Sequence, residues 1–428
     1  MALRAIPCDT ISSMLPSFGD LMQQALAAEP SRALAKGECR DARGRRCNLC
    51  DASRVDYSRE FPAKQTALSR FWRQHRLPDP TPEMAPAQQG RDYRFTSRRR
   101  FFMDGTKVQL ALVELEEGRR LRPFSPLRCR LEPAVHGSIY DLLVSELNTT
   151  RYLRMRETLL HVVLKGLDDS LGVVLSLSDL NPQILRDANR LSKVLTRRFP
   201  KLTGVWLHRH SGGKGYALGS TAGAAGGGWR KLYGNDALRI EAPCGQLRFS
   251  PFCFTQAHAG MIEPLVRCAQ ELLPKADITG MLDLYCGYGL FALHLQCNYR
   301  QVLGLEGSFE AVRWAQDNAR RHGMTRVRFR QADIQPDSLA AKLPAVPSTE
   351  DIILDPPRSG PSPGVIGVLA ARRPKRVLQI CCDIERIPLE HRDWANQGYR
   401  LAAARTLDMF PGVAAVETLL LFIPDSSS

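Results

Sequence analysis

Five short apolar runs recur between residues 281 and 380: Met281 to Tyr285, Val302 to Leu305, Val327 to Arg330, Asp351 to Leu354 and Val377 to Ile380. Helical stretches separate most of them, and a last apolar run, LLLF, lies close to the end of the chain. Runs this short read as strands rather than helices, and strands separated by helices need crossover connections. Little choice of fold is left. A parallel sheet covered on both faces is expected, so residues 251–428 read as a doubly wound α/β domain.

The first 250 residues follow other rules. Residues 1–35 read as a short N-terminal extension with no role that can be named. Arg91 to Glu117 alternates polar and apolar residues and predicts a hairpin turning at Asp104-Gly105. Leu131 to Leu147 has helical spacing, Leu159 to Leu164, Gly172 to Leu177 and Val205 to Arg209 read as strands, and Pro182 to Phe199 reads as a helix. The stretch Ser211 to Gly228 holds eight glycines and is too irregular for a phosphate loop. Residues 36–250 are therefore expected to form a central α+β domain.

Charge is unevenly placed. The chain has 428 residues and a formal net charge of +15. Lys36 to Arg130 carries 22 Lys/Arg against 12 Asp/Glu, a surplus of ten that holds two thirds of the excess. Such a segment attracts phosphate backbones by releasing their counterions, or is simply a solvated basic surface. The stretch RDYRFTSRRRFF, Arg91 to Phe102, interleaves aromatics with basic side chains, which suits unpaired RNA or a hairpin with its aromatics buried. No run of apolar residues is long enough to span a membrane, and twelve cysteines with no signal-peptide pattern point to a reducing, bacterial-type cytoplasm. No obligate protein partner is evident.

The first strand of the α/β region runs into Asp283-Leu284-Tyr285-Cys286-Gly287-Tyr288-Gly289 and then opens a helix. Glycines there let the backbone turn sharply beside a ligand. Glu306 follows at the tip of the second strand and Asp333 at the tip of the third; a carboxylate at such a tip suits a ribose diol. The loop is not the G-x-G-x-x-G of dinucleotide sites. It resembles the class I S-adenosylmethionine fold, with an unrelated α/β enzyme as the alternative.

Asp355-Pro356-Pro357-Arg358 ends the fourth strand, where paired prolines hold the chain extended and present Asp355 at the carboxyl edge. The fifth strand runs into Cys381-Cys382-Asp383, and Asp408-Met409-Phe410-Pro411 and Glu417 follow. DPPRSG, a cysteine after strand five, DMFP with a glutamate six residues beyond its proline, and Phe254-Thr255-Gln256-Ala257-His258 ahead of the fold together resemble the RNA (uracil-5-)-methyltransferase family. These motifs span Phe254 to Glu417.

The resemblance implies a methyl transfer from S-adenosylmethionine to uracil C5. Uracil C5 is a poor nucleophile until a thiolate adds to C6, and the C5 proton must later be removed so that the enzyme is expelled. By the family pattern Cys382 is the nucleophile and Glu417 the proton acceptor. Gln256, Tyr285, Glu306 and Asp355 would contact the methyl donor, Asp333 its adenine end, and Arg358 would help position the base. Read from residues alone, Cys382 is otherwise a buried small apolar residue and Tyr285 a core residue. The chain departs from the family at Asp383, where Asn is usual, and at Gly412 to Glu417, where H-T-x-H-x-E is usual. Both histidines are lost.

Cys39, Cys47 and Cys50 have the spacing C-x7-C-x2-C, with Cys129 far downstream. Four thiolates suit a [4Fe–4S] cluster or zinc, or remain unliganded. The resemblance favours the iron–sulfur cluster, the pattern being most like 23S ribosomal RNA uridine methyltransferases that lack a TRAM domain. Ribosomal RNA is thus the expected partner, a transfer-RNA T-loop the second choice, and an RNA-binding protein with lost catalysis the reading outside enzymes.

Overall fold

A computed structural model describes residues 15–27, 39, 50–52, 55–113, 123–124, 128–167, 169–210, 228–346 and 349–425. Residues 211–227 of the glycine-rich stretch, residues 114–117 of the expected hairpin and Cys47 lie outside the described residues. The strands are β1 (Met84–Ala85), β2 (Thr96–Asp104), β3 (Lys107–Val113), β4 (Pro123–Phe124), β5 (Leu159–Lys165), β6 (Leu171–Leu177), β7 (Leu202–Arg209), β8 (Trp229–Gly234), β9 (Leu238–Ala242), β10 (Gly245–Phe249), β11 (Gly280–Leu284), β12 (Gln301–Glu306), β13 (Val327–Gln331), β14 (Glu350–Leu354), β15 (Arg376–Cys381), β16 (Tyr399–Leu407) and β17 (Glu417–Pro424).

The eight-stranded sheet has the order β1-β16-β17-β15-β14-β11-β12-β13. Its centre is parallel, as β11 pairs in parallel with β12 and β14, and β14 with β15. Strand β17 runs antiparallel to both β15 and β16. This is the mostly parallel α/β sheet expected from the alternation of strands and helices. Asp283 sits at the penultimate position of β11, and the loop beyond it turns through Tyr285, Gly287 and Gly289, all at positive φ. Two of those three conformations are natural for glycine; Tyr285 at φ 60° is strained.

A seven-stranded sheet of order β4-β3-β2-β5-β6-β7-β8 forms the second layer system. The expected hairpin is β2–β3, pairing Asp104 with Lys107 around Gly105 at φ 60°. Helices Ala134–Leu147 and Pro182–Arg198 cover one face of this sheet, burying Ile139, Leu143, Leu191 and Leu195 against Val162, Val173 and Leu175. The second helix starts cleanly because Asn181 accepts from the backbone of Gln183 and Ile184 and Pro182 holds its first turn. The other face meets the α/β sheet's lobe through Val163, Val174, Trp206, Phe249 and Phe252.

Packing does not follow the linear division at 35/36 and 250/251. The two residues of β1 join the eight-stranded sheet, pairing in parallel with Thr406 and Leu407. Helices Phe18–Ala27 and Tyr57–Gln74 bury Phe18, Met22, Phe71 and Trp72 in one core with Leu282, Ile352 and Trp394. A two-residue strand paired with residues over 300 positions away leaves no periodic trace in a sequence. Of the two readings of the aromatic stretch, the hairpin with buried aromatics is the one found for Tyr93, Phe95 and Phe101. Arg99 lies in a buried ion pair with Glu132. Strand β2 is flanked on both sides, so one of its faces is core, and Arg98 and Arg100 remain on the exposed face.

Candidate active site

Register brings the site together before any side chain is considered. Across β15 and β17, Cys381 pairs with Thr418, so one further step of the same antiparallel register sets Cys382 against Glu417. Leu354 pairs with Leu284, and Leu284 with Leu305, so Tyr285, Glu306 and Asp355 leave the sheet at one level. All five residues therefore stand at the carboxyl edge of the parallel strands, where open α/β sheets bind ligands.

Strand alternation separates the two adjacent cysteines. Cys381 is buried and its Sγ lies 2.8 Å from Glu390 Oε2, on the side of helix Ile387–Asn396. Cys382 points the other way and is half-buried. Burial pushes its thiol up to about 12, with Glu417 and Asp355 adding to the rise and Arg358 opposing it. Glu417 is buried, and burial followed by the charge of Asp355 holds its carboxyl well above the ordinary carboxylate range; Arg358 again opposes. The exposed Arg358 thus acts on both groups. Asp383 caps the short turn after it, accepting from Glu385 N at 3.2 Å.

Asp355 is linked by a side-chain hydrogen bond to Gln256, and burial followed by the charge of Glu306 raises it to about 7. Glu306 accepts from Gly287 N at 3.1 Å and Ser308 N at 2.8 Å, which fixes its carboxylate across the glycine turn while leaving lone pairs for hydroxyl donors. Tyr285 is half-buried; burial moves its phenol up to about 12, with Asp333 and Glu306 contributing. Asp283 accepts from Ala292 N at 2.9 Å, and burial raises it to about 8. Its other oxygen is buried with no hydrogen-bond partner, and nothing beyond its place in the glycine loop marked it in the sequence.

Beside this edge lies a cavity of about 750 Å³ walled in part by Phe252, Phe254, Gly287, Glu306, Ser308 and Asp333. It holds a carboxylate at one strand tip and a second, Asp333, on the rim. Gln256, Tyr285 and Asp355 are not in its wall but stand between it and Cys382 in the electrostatic chain just described. Phe254 is 72% exposed, an apolar side chain at the cavity mouth that a flat ring would cover. The segment Phe254 to His258 is fixed by the residues that lead into β2: Phe95 N donates to Ala257 O at 2.9 Å, and His258 stacks on Tyr93 at 4.6 Å.

Cys39, Cys50 and Cys129 are among the described residues. Cys129 and Cys50, 79 residues apart in the chain, both act electrostatically on the Arg94 guanidinium. Cys39 is half-buried, and among the described residues no group of three or more His, Cys, Asp or Glu could hold a metal ion. Among the same residues no helix is long and apolar enough to cross a membrane.

A family model for tRNA (uracil-5-)-methyltransferases matches residues 230–423. The chain is 37% identical over 179 residues to the 23S rRNA (uracil(1939)-C(5))-methyltransferase RlmD of Alkalilimnicola ehrlichii, a match covering 41% of this chain and 40% of that one. Its match to RlmD of Pseudomonas fluorescens is of the same kind, 38% over 185 residues and 40% of that chain. The first two relatives are thus matched over less than half their length. RlmD of Edwardsiella ictaluri is 27% identical over 377 residues, 88% of this chain and 79% of that one. In fold, the chain is similar to the tRNA (uracil-54, C5)-methyltransferase of Pyrococcus abyssi in complex with S-adenosyl-L-homocysteine, with a TM-score of 0.68, 17% identity, and 92% and 87% of the two chains covered. The DPPR edge, the cysteine after β15 and the glutamate opening β17 all lie within the residues that the family model for tRNA (uracil-5-)-methyltransferases matches.

Proposed function

We propose that this chain transfers a methyl group from S-adenosylmethionine to C5 of a uridine in RNA, through a transient bond between Cys382 Sγ and C6. The observation that carries the reading is the β15–β17 register, which sets a thiol beside a buried carboxyl at the sheet's carboxyl edge. The methyl donor supplies an electrophilic methyl group on a cationic sulfur, and Gln256, Tyr285, Glu306, Asp333 and Asp355 surround its place. Cys382 adds as its thiolate to C6, and the C5 carbanion so formed takes the methyl group from the sulfonium, releasing S-adenosylhomocysteine. Glu417 then accepts the C5 proton, the C5–C6 double bond re-forms and the thiolate leaves. Arg358, exposed beside both groups, suits the uracil carbonyl edge.

RNA as substrate is supported by the central sheet. Arg100 pairs with His161 across β2–β5, His161 with Ser176, Ser176 with His208, and His208 with Trp229. This row reaches the cavity wall through Phe252, whose ring lies 5.8 Å from His208 and 5.3 Å from Trp229. Ser176 and His208 are buried inside the row, while Arg100 at one end is exposed and Trp229 at the other is half-buried. A cation and an aromatic so placed suit a single strand that delivers a splayed base, since C6 of a stacked base is shielded. Ribosomal RNA is favoured over transfer RNA because the relative matched over 88% of this chain is named for 23S rRNA.

The same reading assigns Cys39, Cys47, Cys50 and Cys129 to a [4Fe–4S] cluster, with zinc as the alternative. The fit rests on Arg94: a guanidinium beside two thiols suits the negative charge that thiolate ligands bring. Broad visible absorbance in anaerobically purified protein supports iron–sulfur, and colourless protein with stoichiometric zinc removes it. The reaction is tested with RNA containing 5-fluorouridine, whose C5 fluorine cannot leave as a proton. A denaturation-resistant adduct is expected in wild type and absent in Cys382→Ala; a chain that only binds RNA forms none in either. Mass mapping of ribosomal and transfer RNA from cells lacking the protein identifies the uridine.

A further inference from the structure

The loop of residues 408–416 joins β16 to β17 and delivers Glu417 to the site. Most of its anchors come from residues 50–93, remote in sequence from every motif of the methyltransferase fold. Lys64, fully buried on helix Tyr57–Gln74, donates to Asp408 Oδ1 at 2.8 Å and to Phe410 O at 2.9 Å. Glu60, one turn earlier and also fully buried, lies 3.1 Å from the Lys64 ammonium. Its Oε1 accepts from Gly412 N, and its Oε2 accepts from Arg91 Nη1 at 2.9 Å. Tyr93 donates its hydroxyl to Pro411 O at 2.8 Å. Ala52 N donates to Gly412 O at 3.1 Å, and Ala414 N donates to Asp51 Oδ2 at 2.6 Å.

Two cations and two carboxylates so enclosed are a poor way to stabilise a fold, because desolvation offsets most of their attraction. They are a good way to hold one backbone conformation, since each partner lost leaves a buried charge. The family carries two histidines in this loop; here Gly412 to Val416 offer only backbone and small side chains. Gly412 sits at φ 89°, where a side chain is strained, and a Cβ there would stand 2.7 Å from Leu131 Cδ2 and make that side chain shift.

We propose that Glu60 and Lys64 are positioning residues for Glu417, setting the loop so that its carboxylate reaches the C5 proton after methyl transfer. The proposal rests on the uridine C5 reading. The step concerned breaks the C5–H bond, moves that proton to Glu417, re-forms C5=C6 with the electron pair and expels Cys382 as thiolate. Slowing it alone leaves earlier steps intact, so a covalent protein–RNA adduct accumulates on ordinary uridine.

The test uses the full chain with Lys64→Met and Tyr93→Phe, the second removing a single hydroxyl should the first fail to fold. Amide exchange of residues 408–417 is expected to rise about tenfold in Lys64→Met and about threefold in Tyr93→Phe, as opening of one anchored loop would do. With S-adenosylmethionine and ordinary uridine RNA, Lys64→Met accumulates the adduct as Glu417→Gln does, while its adduct with 5-fluorouridine RNA forms at the wild-type rate. Unchanged exchange in both variants overturns the proposal. So does a loss in which adduct formation and turnover fall by the same factor, the mark of general damage. Wild type that forms no Cys382-dependent adduct sinks the uridine reading instead, and the exchange measurement still decides whether these residues hold the loop.

Discussion

The two lobes concentrate opposite charges. At the edge of the eight-stranded sheet Asp283, Glu306, Asp355 and Glu417 crowd together: Asp355 and Glu306 each raise Asp283, Glu306 raises Asp355, and Asp355 raises Glu417. On the seven-stranded sheet, where the face turned to the α/β lobe leaves Arg98 and Arg100 exposed, these two and His210 crowd His161 and, after its burial, help drive it down to about 4. Like charges held this close make each lobe a receptor for the opposite sign. A small cation relieves the first and a polyanion the second. The proposed reaction brings one of each, a sulfonium and a phosphate backbone.

The largest effect expected from breaking this contrast comes from Asp355→Asn. Losing a charge-assisted contact of about 2 kcal/mol corresponds to about thirtyfold weaker binding of S-adenosylmethionine. S-adenosylhomocysteine has no charged sulfur and should lose clearly less, which calorimetry with both ligands measures. The same variant removes a negative neighbour of Cys382, so alkylation of that thiol at pH 8 should speed up. Equal losses for the two ligands would mean that shape, rather than sign, governs the pocket. On the other lobe, Arg98→Glu with Arg100→Glu should weaken RNA binding by about tenfold and lower the salt slope by about 1.4, for two phosphate contacts on a single strand. Affinity for the methyl donor should stay unchanged. A loss of RNA binding with an unaltered salt slope would place the phosphates elsewhere.

How far each lobe could be read in the sequence follows from how local its signals are. The five parallel strands β11 to β15 appeared where an apolar run stood, because burial on both faces writes itself into consecutive residues. Cys382 and Glu417 were singled out through the resemblance of their motifs to a family; strand alternation turns the neighbouring Cys381 to Glu390. Other features depend on partners far away in the chain. Lys64 and Glu60 look like an ordinary solvated pair on an amphipathic helix, and only the fold brings Asp408 and Gly412 to them. Tyr93 and Phe101 could be read either as stacking on bases or as buried, because β2 has a core face that pattern alone does not orient. His208 and Trp229 carry no motif; they belong to one row only through the pairing of β5, β6, β7 and β8.

The smallest effect concerns His161, and it asks whether the central lobe's crowding is real. Its folded pKa of about 4 lies below the ordinary value of 6.5, through burial first and then Arg98, Arg100 and His210. A depressed histidine is neutral in the folded chain while its unfolded counterpart takes up a proton. The unfolded state thus binds more protons as pH falls from about 6.5 toward 4, and stability is lost across that window. Arg98→Gln with Arg100→Gln removes two of the three repelling charges, raises the folded pKa and narrows the window. The melting temperature measured at pH 7 and pH 5 should then fall less in the variant than in wild type, by about 2 °C. RNA acts in the same direction by neutralising those arginines, so binding should draw a proton onto this face and tighten as pH drops from 7 to 5.5. If variant and wild type lose the same stability between the two pH values, burial alone depresses His161, and the row is a polar edge of the core rather than a field prepared for a polyanion.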